Sequence, residues 1–299
     1  MSTIAFIGLG IMGSPMAVHL QKHGHAVRGH NRSPAKARAL QEAGGTACAS
    51  AADAVSGADV ICLMLPDSPD VEEVLLGEGA VLDHAEPGAL VIDFSTIRPD
   101  VTRRLASAAR ERGLRMLDAP VSGGQAGAEA ATLSIMVGGE SADVEAADDV
   151  LGVLGGTVVH VGPPGAGQTV KAANQLIVAG HLQVLAEAVV LLETSGVDLA
   201  RALDVLAGGL AASAVLMQKR DNLLEHRFDP GFRVELHDKD LGIVVETARS
   251  GGVVAPMAGL LAALMSSMVA NGDGGLDHSA LLRGVERLNG QTPPRPDTA

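Results

Sequence analysis

TIAFIGLGIMG, at residues 3–13, joins a short apolar run to a glycine-rich turn. The run is typical of a buried strand, and Gly8, Gly10 and Gly13 follow it with the spacing G-x-G-x-x-G. The first glycine of such a turn permits a tight bend, the second lets a pyrophosphate approach the backbone, and the third lets a helix pack against the strand. The sequence therefore predicts a dinucleotide-binding turn. The residues assigned to the cofactor here are Gly8, Gly10, Ile11, Met12 and Gly13.

Short apolar runs alternate with helical patterns from residue 3 to residue 161. This alternation is typical of an α/β domain with a mostly parallel sheet covered by helices on both faces. Helices are predicted at residues 33–43 and 100–112, where proline stands near the first turn. The predicted strands are residues 3–8, 25–30, 60–65, 89–93, 115–118, 133–137 and 157–161.

A second pattern begins after the loop GPPGAG at residues 162–167, which is too rich in glycine and proline to belong inside a helix or strand. We place a domain boundary there, with a nucleotide-binding domain at residues 1–163 and an all-α domain at residues 164–290. A flexible tail is expected at residues 291–299, which contain three prolines. Helical segments of the second domain are predicted at residues 168–195, 199–207, 213–224, 239–250, 255–271 and 279–288.

The composition narrows the possible partners. The formal net charge of the 299 residues is -13, which argues against binding to nucleic acid or to an anionic membrane surface. The longest apolar stretch, residues 176–192, contains His181, Gln183 and Glu187, so we expect a buried helix rather than a membrane span. Cys48 and Cys62 lack metal-ligand spacing, and no metal is expected. No signal peptide is recognised, and a cytoplasmic location is expected.

Lys171 is the best candidate for a proton donor. The chain contains no tyrosine, which removes the tyrosine-dependent mechanism of short-chain reductases. Asn174 lies three residues further along the predicted long helix, on the same face and beside the glycine loop. Hydride addition to an aldehyde leaves an alkoxide, which a lysine can stabilise and protonate. The alternative is that Lys171 is an ordinary solvated lysine near a helix start.

The end of the second predicted strand bears on cofactor choice. Asn31, Arg32 and Ser33 stand where an acidic side chain would hold the ribose of NAD. An arginine there can instead bind a 2'-phosphate through charge-assisted hydrogen bonds, so NADP(H) is favoured and NAD(H) remains possible. The alternative is that Arg32 only starts a solvated helix.

Three further loops follow predicted strands and should lie at the ligand-binding edge of the sheet. Leu65, Pro66 and Thr96 are assigned to the cofactor, although these loops could instead be ordinary strand-to-helix connections with Ser95 or Thr96 as the helix cap. Ser122, Gly123 and Gly124 could expose backbone N–H groups to a small carboxylate, or could form only a tight turn.

Lys239 lies in the helical second half of the chain. Taken with Asp240 alone, it would form a solvated charge pair.

Together these motifs resemble the β-hydroxyacid dehydrogenase family, which is related to 3-hydroxyisobutyrate dehydrogenase. The matching stretches are residues 6–13, 118–124, 165–174 and 239–241, in the order of the family. Residues 132–139, 208–211, 229–237 and 277–281 look most like the tartronate semialdehyde reductase branch, which reduces 2-hydroxy-3-oxopropanoate to D-glycerate. Asn31 departs from the acidic residue common in close relatives.

The resemblance implies a fold and a set of roles. An N-terminal Rossmann-type domain would be joined by a long helix to an all-α domain that builds a homodimer or homotetramer. Lys171 matches the catalytic lysine and Asn174 its partner. Ser122, Gly123 and Gly124 match the loop for the substrate carboxylate, and Thr96 and Lys239 match cofactor contacts.

Other functions stay open from the sequence. They are a 3-hydroxyisobutyrate dehydrogenase, a broad short-chain semialdehyde or glyoxylate reductase, an imine reductase on the same scaffold, and a non-catalytic NADP-binding module. The last two need not keep Lys171.

Overall fold

The chain divides into two compact units in a computed structural model that describes residues 1–293. The first unit is residues 1–171 and the second begins at Ala172. This division falls inside the long helix, whereas the boundary predicted from the sequence lies in the preceding loop and stays a prediction. Of the predicted tail, residues 294–299 lie outside the described part of the chain.

The first unit is built on one sheet. Its strands run in the order β3-β2-β1-β4-β5-β6-β8-β7, and β9 pairs with β8. Strands β1 to β6 are parallel, while β8 runs antiparallel to β6 and β7. The order 3-2-1-4-5-6 is that of the Rossmann fold, so the predicted α/β fold class is confirmed. Among residues 1–293 the strands are β1 Thr3–Ile7, β2 Ala26–His30, β3 Thr46–Ala47, β4 Val60–Leu63, β5 Leu90–Asp93, β6 Arg115–Asp118, β7 Val121–Ser122, β8 Leu133–Gly138 and β9 Gly155–Gly162.

The central strands are buried on both faces, as their continuous apolar runs predict. In β1, Ile4 and Phe6 belong to one hydrophobic cluster, and Ala5 and Ile7 to another. This alternation follows from the two-residue period of a strand. Cys62 lies fully buried in β4, and burial raises the pKa of its thiol, which suits a structural cysteine rather than a reactive one.

Helices cover the sheet. The segment predicted as one helix at residues 33–43 is instead a 3-10 helix, Pro34–Ala37, followed by a short α-helix. The helix predicted at residues 100–112 is present with Pro99 in its first turn. Within residues 1–171 the complete α-helices are α1 Gly13–Lys22, α2 Arg38–Glu42, α3 Ala51–Val55, α4 Ser68–Leu76, α5 Val81–His84, α6 Pro99–Glu111, α7 Gly124–Ala130, α8 Ser141–Ala146 and α9 Asp148–Leu154.

The long helix α10 spans Ala166–Thr194. By length and composition it is the one helix of the described chain that could cross a membrane, and 44% of its most apolar window is buried. Its buried amides argue for a protein environment, because Gln175 donates to Asp240 and Gln183 donates to Glu187. Apolar residues of the same helix belong to the core of the second unit. These features are those of a core helix in a helical domain.

The described part of the second unit is helical apart from one isolated bridge between Arg233 and Asp277. The predicted all-α domain is thus confirmed. One helix begins earlier than predicted, at Val234 rather than at residue 239, because the polar residues that follow hid the apolar spacing of Val234 and Leu241. The helices are α11 Leu199–Ala207, α12 Ala214–Glu225, α13 Val234–Ser250, α14 Pro256–Ala270 and α15 Leu281–Leu288, with a 3-10 helix at His278–Ala280.

Asp277 is a fully buried carboxylate that ties three parts of the second unit together. Its Oδ2 accepts hydrogen bonds from Lys219 Nζ at 2.9 Å and from the backbone N–H groups of Gly231 at 3.0 Å and Phe232 at 3.1 Å. Its Oδ1 accepts from the Ser279 hydroxyl at 2.6 Å. The carboxylate therefore joins α12, the segment before α13 and the 3-10 helix.

Candidate functional site

The glycine turn between β1 and α1 has the shape that the motif predicts. Gly8 has φ +98, and a Cβ there would collide with the carbonyl oxygen of Met64. A Cβ on Gly13, the first residue of α1, would collide with the carbonyl oxygen of Gly8. The space beside Gly10 is open, since a Cβ there would meet nothing within 4 Å. The turn thus leaves room for a phosphate at the N-terminus of α1.

A cavity of 410 Å³ borders this turn. Gly10, Ile11, Lys36, Arg38 and Glu42 are among the residues that line it. Neither of these basic residues is predicted from the sequence, although their position just after β2 is a usable signal. Arg38 is held by Glu42, with 2.8 Å between Nε and Oε1. Lys36 and Arg38 thus place two basic groups beside the glycine turn, and Glu42 offsets the charge of Arg38.

Asn31 and Arg32 play different parts at the end of β2. The Asn31 side chain accepts a hydrogen bond from Leu9 N at 3.0 Å and donates to Ser33 O at 3.2 Å, so it holds the glycine turn in place. The Arg32 side chain is 84% exposed and lies 3.5 Å from Asp70 Oδ1. Arg32 is accessible to a ligand, and Ser33 beside it is exposed as well.

The ends of β4 and β5 are tied to each other. Ser95 Oγ accepts from Leu65 N at 2.9 Å, and Ser95 N donates to Asp93 Oδ1 at 3.0 Å. Thr96 is half-buried between two fully buried neighbours, while Pro66 is exposed. The predicted cofactor residues Leu65, Pro66 and Thr96 are therefore brought together on one edge of the sheet.

Asp118, at the end of β6, holds the N-terminus of α10. Its Oδ1 accepts from Gly165 N at 2.7 Å and its Oδ2 from Gln168 N at 2.9 Å. Burial raises the pKa of Asp118, and the two backbone hydrogen bonds act in the opposite direction. The sequence analysis assigns no role to this residue.

Lys171 is buried, with only 6% of the residue exposed, and is not a solvated lysine. Its Nζ donates a hydrogen bond to Val121 O at 2.8 Å. Val121 and Ser122 form β7, and Gly123 and Gly124 follow at once, where α7 begins. The first unit therefore places the Lys171 ammonium beside the loop predicted to bind a carboxylate.

Asn174 and Lys239 belong to one chain of polar contacts in the second unit. Asn174 Nδ2 donates to Gln175 Oε1 at 2.9 Å, and Gln175 Nε2 donates to Asp240 Oδ2 at 2.5 Å. Lys239 Nζ lies 2.8 Å from Asp240 Oδ1. Asp240 is only 2% exposed, so this is not the solvated charge pair considered from the sequence. Gln175 is a further member that the sequence analysis does not assign.

Two family models match the chain. Residues 3–162 match the NAD-binding domain of 6-phosphogluconate dehydrogenase. Residues 165–285 match the NAD-binding domain of NADP-dependent 3-hydroxyisobutyrate dehydrogenase. The 2-hydroxy-3-oxopropionate reductase of Escherichia coli (strain K12) is 39% identical over 285 residues, which cover 95% of this chain and 97% of that protein. The chain belongs to the β-hydroxyacid dehydrogenase family. The resemblance seen in its motifs is confirmed.

Other relatives of this β-hydroxyacid dehydrogenase differ in their named substrates. The NAD-dependent L-serine dehydrogenase of Pseudomonas aeruginosa is 39% identical over 298 residues, which cover 97% of this chain and 100% of that protein. A solved structure of Mycobacterium tuberculosis 3-hydroxyisobutyrate dehydrogenase with L-serine is 35% identical, has a TM-score of 0.86, and covers 95% of this chain and 99% of its own. The chain is therefore an NAD(P)-dependent oxidoreductase of small molecules, and the substrate is a separate question.

Proposed function

We propose that this dehydrogenase reduces tartronate semialdehyde to D-glycerate, with NADPH as the preferred cofactor and Lys171 as the proton donor. The observation that carries the proposal is the 2.8 Å hydrogen bond from Lys171 Nζ to Val121 O, directly before Ser122, Gly123 and Gly124. A buried ammonium beside a carboxylate-binding loop suits an aldehyde that also carries a carboxylate. The identity to the E. coli reductase supports the choice of substrate.

The residues of the chain divide the work as follows. Ser122, Gly123 and Gly124 hold the substrate carboxylate, which places the aldehyde oxygen near Lys171. When bound, the nicotinamide cofactor supplies a hydride to the aldehyde carbon. The electron pair of the C=O bond moves to oxygen, and Lys171 gives that oxygen a proton and becomes neutral. Asn174 orients the reacting groups. Burial of Lys171 strengthens its interaction with the developing negative charge.

The glycine turn and the end of β2 support the proposed cofactor contacts. The glycine turn with its open space at Gly10 would receive the pyrophosphate, and Arg32 would receive the 2'-phosphate. The further residues proposed to contact the cofactor are Gly8, Ile11, Met12, Gly13, Asn31, Ser33, Leu65, Pro66, Thr96 and Lys239.

The substrate is tested by comparing kcat/KM for tartronate, methylmalonate and succinic semialdehydes and for glyoxylate with the purified protein. Tartronate semialdehyde is expected to exceed the others by at least about tenfold, because a site that hydrogen-bonds a substrate hydroxyl rejects analogues that lack it. Preference for methylmalonate semialdehyde would instead identify a 3-hydroxyisobutyrate dehydrogenase, as the M. tuberculosis relative is named. NADPH binding without reduction of any aldehyde would favour a binding module or an imine reductase.

Cofactor choice is tested by Arg32→Ala. We expect kcat/KM for NADPH to fall by about 10-fold to 100-fold and that for NADH to change little, because a charge-assisted hydrogen bond to phosphate contributes about 1.5–3 kcal/mol. Arg110→Ala, an exposed arginine on α6, serves as the matched control. Asp70→Asn removes the carboxylate that pairs with Arg32 and should leave NADPH use intact or improve it. Equal losses with both cofactors in Arg32→Ala would contradict the assignment.

We also propose that the protein is a cytoplasmic homodimer or homotetramer. Four large apolar residues on α10 are exposed at seven-residue spacing, namely Val170 at 38%, Ile177 at 57%, Val184 at 55% and Leu191 at 67%. This spacing puts them along one face of the helix, which a second copy could cover. The molar mass in solution measures the state directly.

A further inference from the structure

Gln168 is a buried side chain on the first turn of α10, with 1% of the residue exposed. Its amide makes two hydrogen bonds to the loop after β5. Nε2 donates to Ser95 O at 2.8 Å, and Oε1 accepts from Ile97 N at 3.1 Å. These two partners stand immediately before and after Thr96. Gln168 therefore forms hydrogen bonds to the backbone on both sides of Thr96.

The loop that Gln168 binds is largely buried around Thr96. Ser95 and Ile97 are both fully buried, whereas Thr96 between them is half-buried. Ser95 is also fixed by its hydrogen bonds with Leu65 N and Asp93 Oδ1. Within residues 94–97 only Thr96 is accessible, and the backbone groups on both sides of it are the ones that Gln168 binds.

The backbone of Gln168 belongs to α10, the helix that also carries Lys171. The backbone N–H of Gln168 donates to Asp118 Oδ2 at 2.9 Å, which prevents the first turn of α10 from sliding. Lys171 follows three residues later, on the same face of the helix. Its Nζ is in turn bonded to Val121 O at 2.8 Å. Gln168 thus connects the Thr96 loop to the part of α10 that carries Lys171.

A purely structural role would also account for a buried glutamine that satisfies backbone groups. Two features point beyond that role. The backbone groups that it satisfies flank a residue assigned to the cofactor, and the helical turn that bears it continues to the proposed proton donor. The bonding also needs one donor and one acceptor at fixed positions, which an amide supplies and a carboxylate does not.

We propose that Gln168 is a positioning residue that sets the separation between the Thr96 loop, which contacts the cofactor, and Lys171, which protonates the substrate oxygen. The inference rests on the proposed function, which assigns the cofactor contact to Thr96 and the proton donation to Lys171. Hydride and proton donors must approach the carbonyl group together, and a misplacement of about 1 Å can lower a rate by about 100-fold. Gln168 acts on the reaction only through these two neighbours.

Gln168→Glu tests the proposal because it keeps the size and changes the hydrogen-bonding pattern. A glutamate carboxylate can accept from Ile97 N but faces the carbonyl oxygen of Ser95 without a proton to donate. When the carboxyl group is protonated, both hydrogen bonds return. Gln168 is 1% exposed, and its backbone N–H is bound by the Asp118 carboxylate, so we expect the protonated form of the introduced carboxyl group to be favoured relative to that of an exposed glutamate.

The readout is the ratio of kcat for Gln168→Glu to kcat for the wild-type protein, measured with NADPH and tartronate semialdehyde across pH. We expect the ratio to be about 0.01 where the introduced carboxyl group is ionised and to rise toward unity as the pH is lowered and the group takes up a proton. Gln168→Asn introduces no charge, so comparing its pH profile shows whether a recovery at low pH comes from the introduced carboxyl group. The Kd for NADPH, from its fluorescence, should change less than about threefold.

Two variants separate this effect from a general loss of structure. Gln183→Glu places the same charge at another buried glutamine of α10 and should show no recovery of kcat at low pH. Gln168→Asn is neutral and one methylene shorter, so it should lose kcat at every pH. In a Lys171→Ala background, Gln168→Asn should cost little more, because residues that act through one another are not additive. The melting temperature of each variant is recorded alongside.

A kcat ratio that stays flat with pH, or a Gln168→Asn loss that is the same with and without Lys171, would overturn the positioning role. The role would also be rejected if the loss of kcat in each variant simply followed its loss of melting temperature. Failure of the proposed function has a different signature, because the wild-type protein would then reduce no semialdehyde or would keep its rate in Lys171→Ala. In that case the proposed function is wrong, and the positioning role of Gln168 is wrong as well.

Discussion

Replacing Lys171 with alanine is expected to lower kcat for semialdehyde reduction by about three orders of magnitude. The change removes both the proton donor and the positive charge beside the developing alkoxide, each of which contributes about 10²-fold or more. The Lys171 ammonium donates to Val121 O, whereas the glycine turn is held by Asn31, so NADPH binding should remain nearly intact. Steady-state kinetics and a fluorescence titration of NADPH measure the two quantities separately.

The controls for Lys171 distinguish charge from proton transfer. Lys171→Arg keeps a positive charge but is a poor acid, so its kcat should lie between those of the wild-type protein and Lys171→Ala. Lys22→Ala, an exposed lysine on α1, should leave kcat unchanged. An equal loss of NADPH binding and of turnover in Lys171→Ala would remove the residue from the chemical step and return it to a structural role.

Asp277→Ala is expected to lower the free energy of unfolding by about 4 kcal/mol. The change leaves Lys219, whose side chain is only 15% exposed, without its carboxylate. It also leaves the N–H groups of Gly231 and Phe232 without their acceptor. Breaking a buried ion pair from one side costs about 3–5 kcal/mol. Denaturant unfolding followed by circular dichroism measures the loss, and Asp204→Ala, in the exposed pair with Arg220, should cost less than about 1 kcal/mol.

The stabilisation by Asp277 should also depend on pH. Burial on its own would raise the pKa of Asp277, but charge interactions with His278 and Lys219 and a hydrogen bond from Ser279 outweigh it, and the pKa is lowered to about 2 from 3.8. A carboxyl group with a lowered pKa stabilises the fold above its unfolded pKa. The stability difference between the wild-type protein and Asp277→Asn should therefore be constant above about pH 5 and shrink as the pH falls toward 2. A difference that grows in this range would contradict the assignment.

The fold could be predicted from the sequence wherever the signal is local. The glycine turn, the buried strands and the helical second half all follow from spacings of a few residues. The two-residue strands β3 and β7 are too short to show a period. The sequence does not reveal the start of α13 at Val234, because the polar residues 237–240 interrupt the apolar pattern.

The candidate site was predictable only in part, for a related reason. Lys171 lies in a motif that can be recognised along the chain, whereas Gln168 has its partner Ser95 at a sequence separation of 73 residues and Asp118 has Gly165 at 47. Nothing in the local pattern distinguishes such residues from ordinary polar ones. Residues that hold a site together through contacts distant in sequence become visible only when the chain is folded.

The buried carboxylate of Asp277 also bears on how the protein is made. Its partner Lys219 lies 58 residues earlier, and α13 and α14 fall between them. During synthesis, α12 therefore waits for its partner until residue 277 has emerged from the ribosome, whereas the strands of the first unit can pair much earlier. Domains generally fold in the order in which they are translated. The helical unit is thus the one that stays exposed to chaperones and proteases on the growing chain.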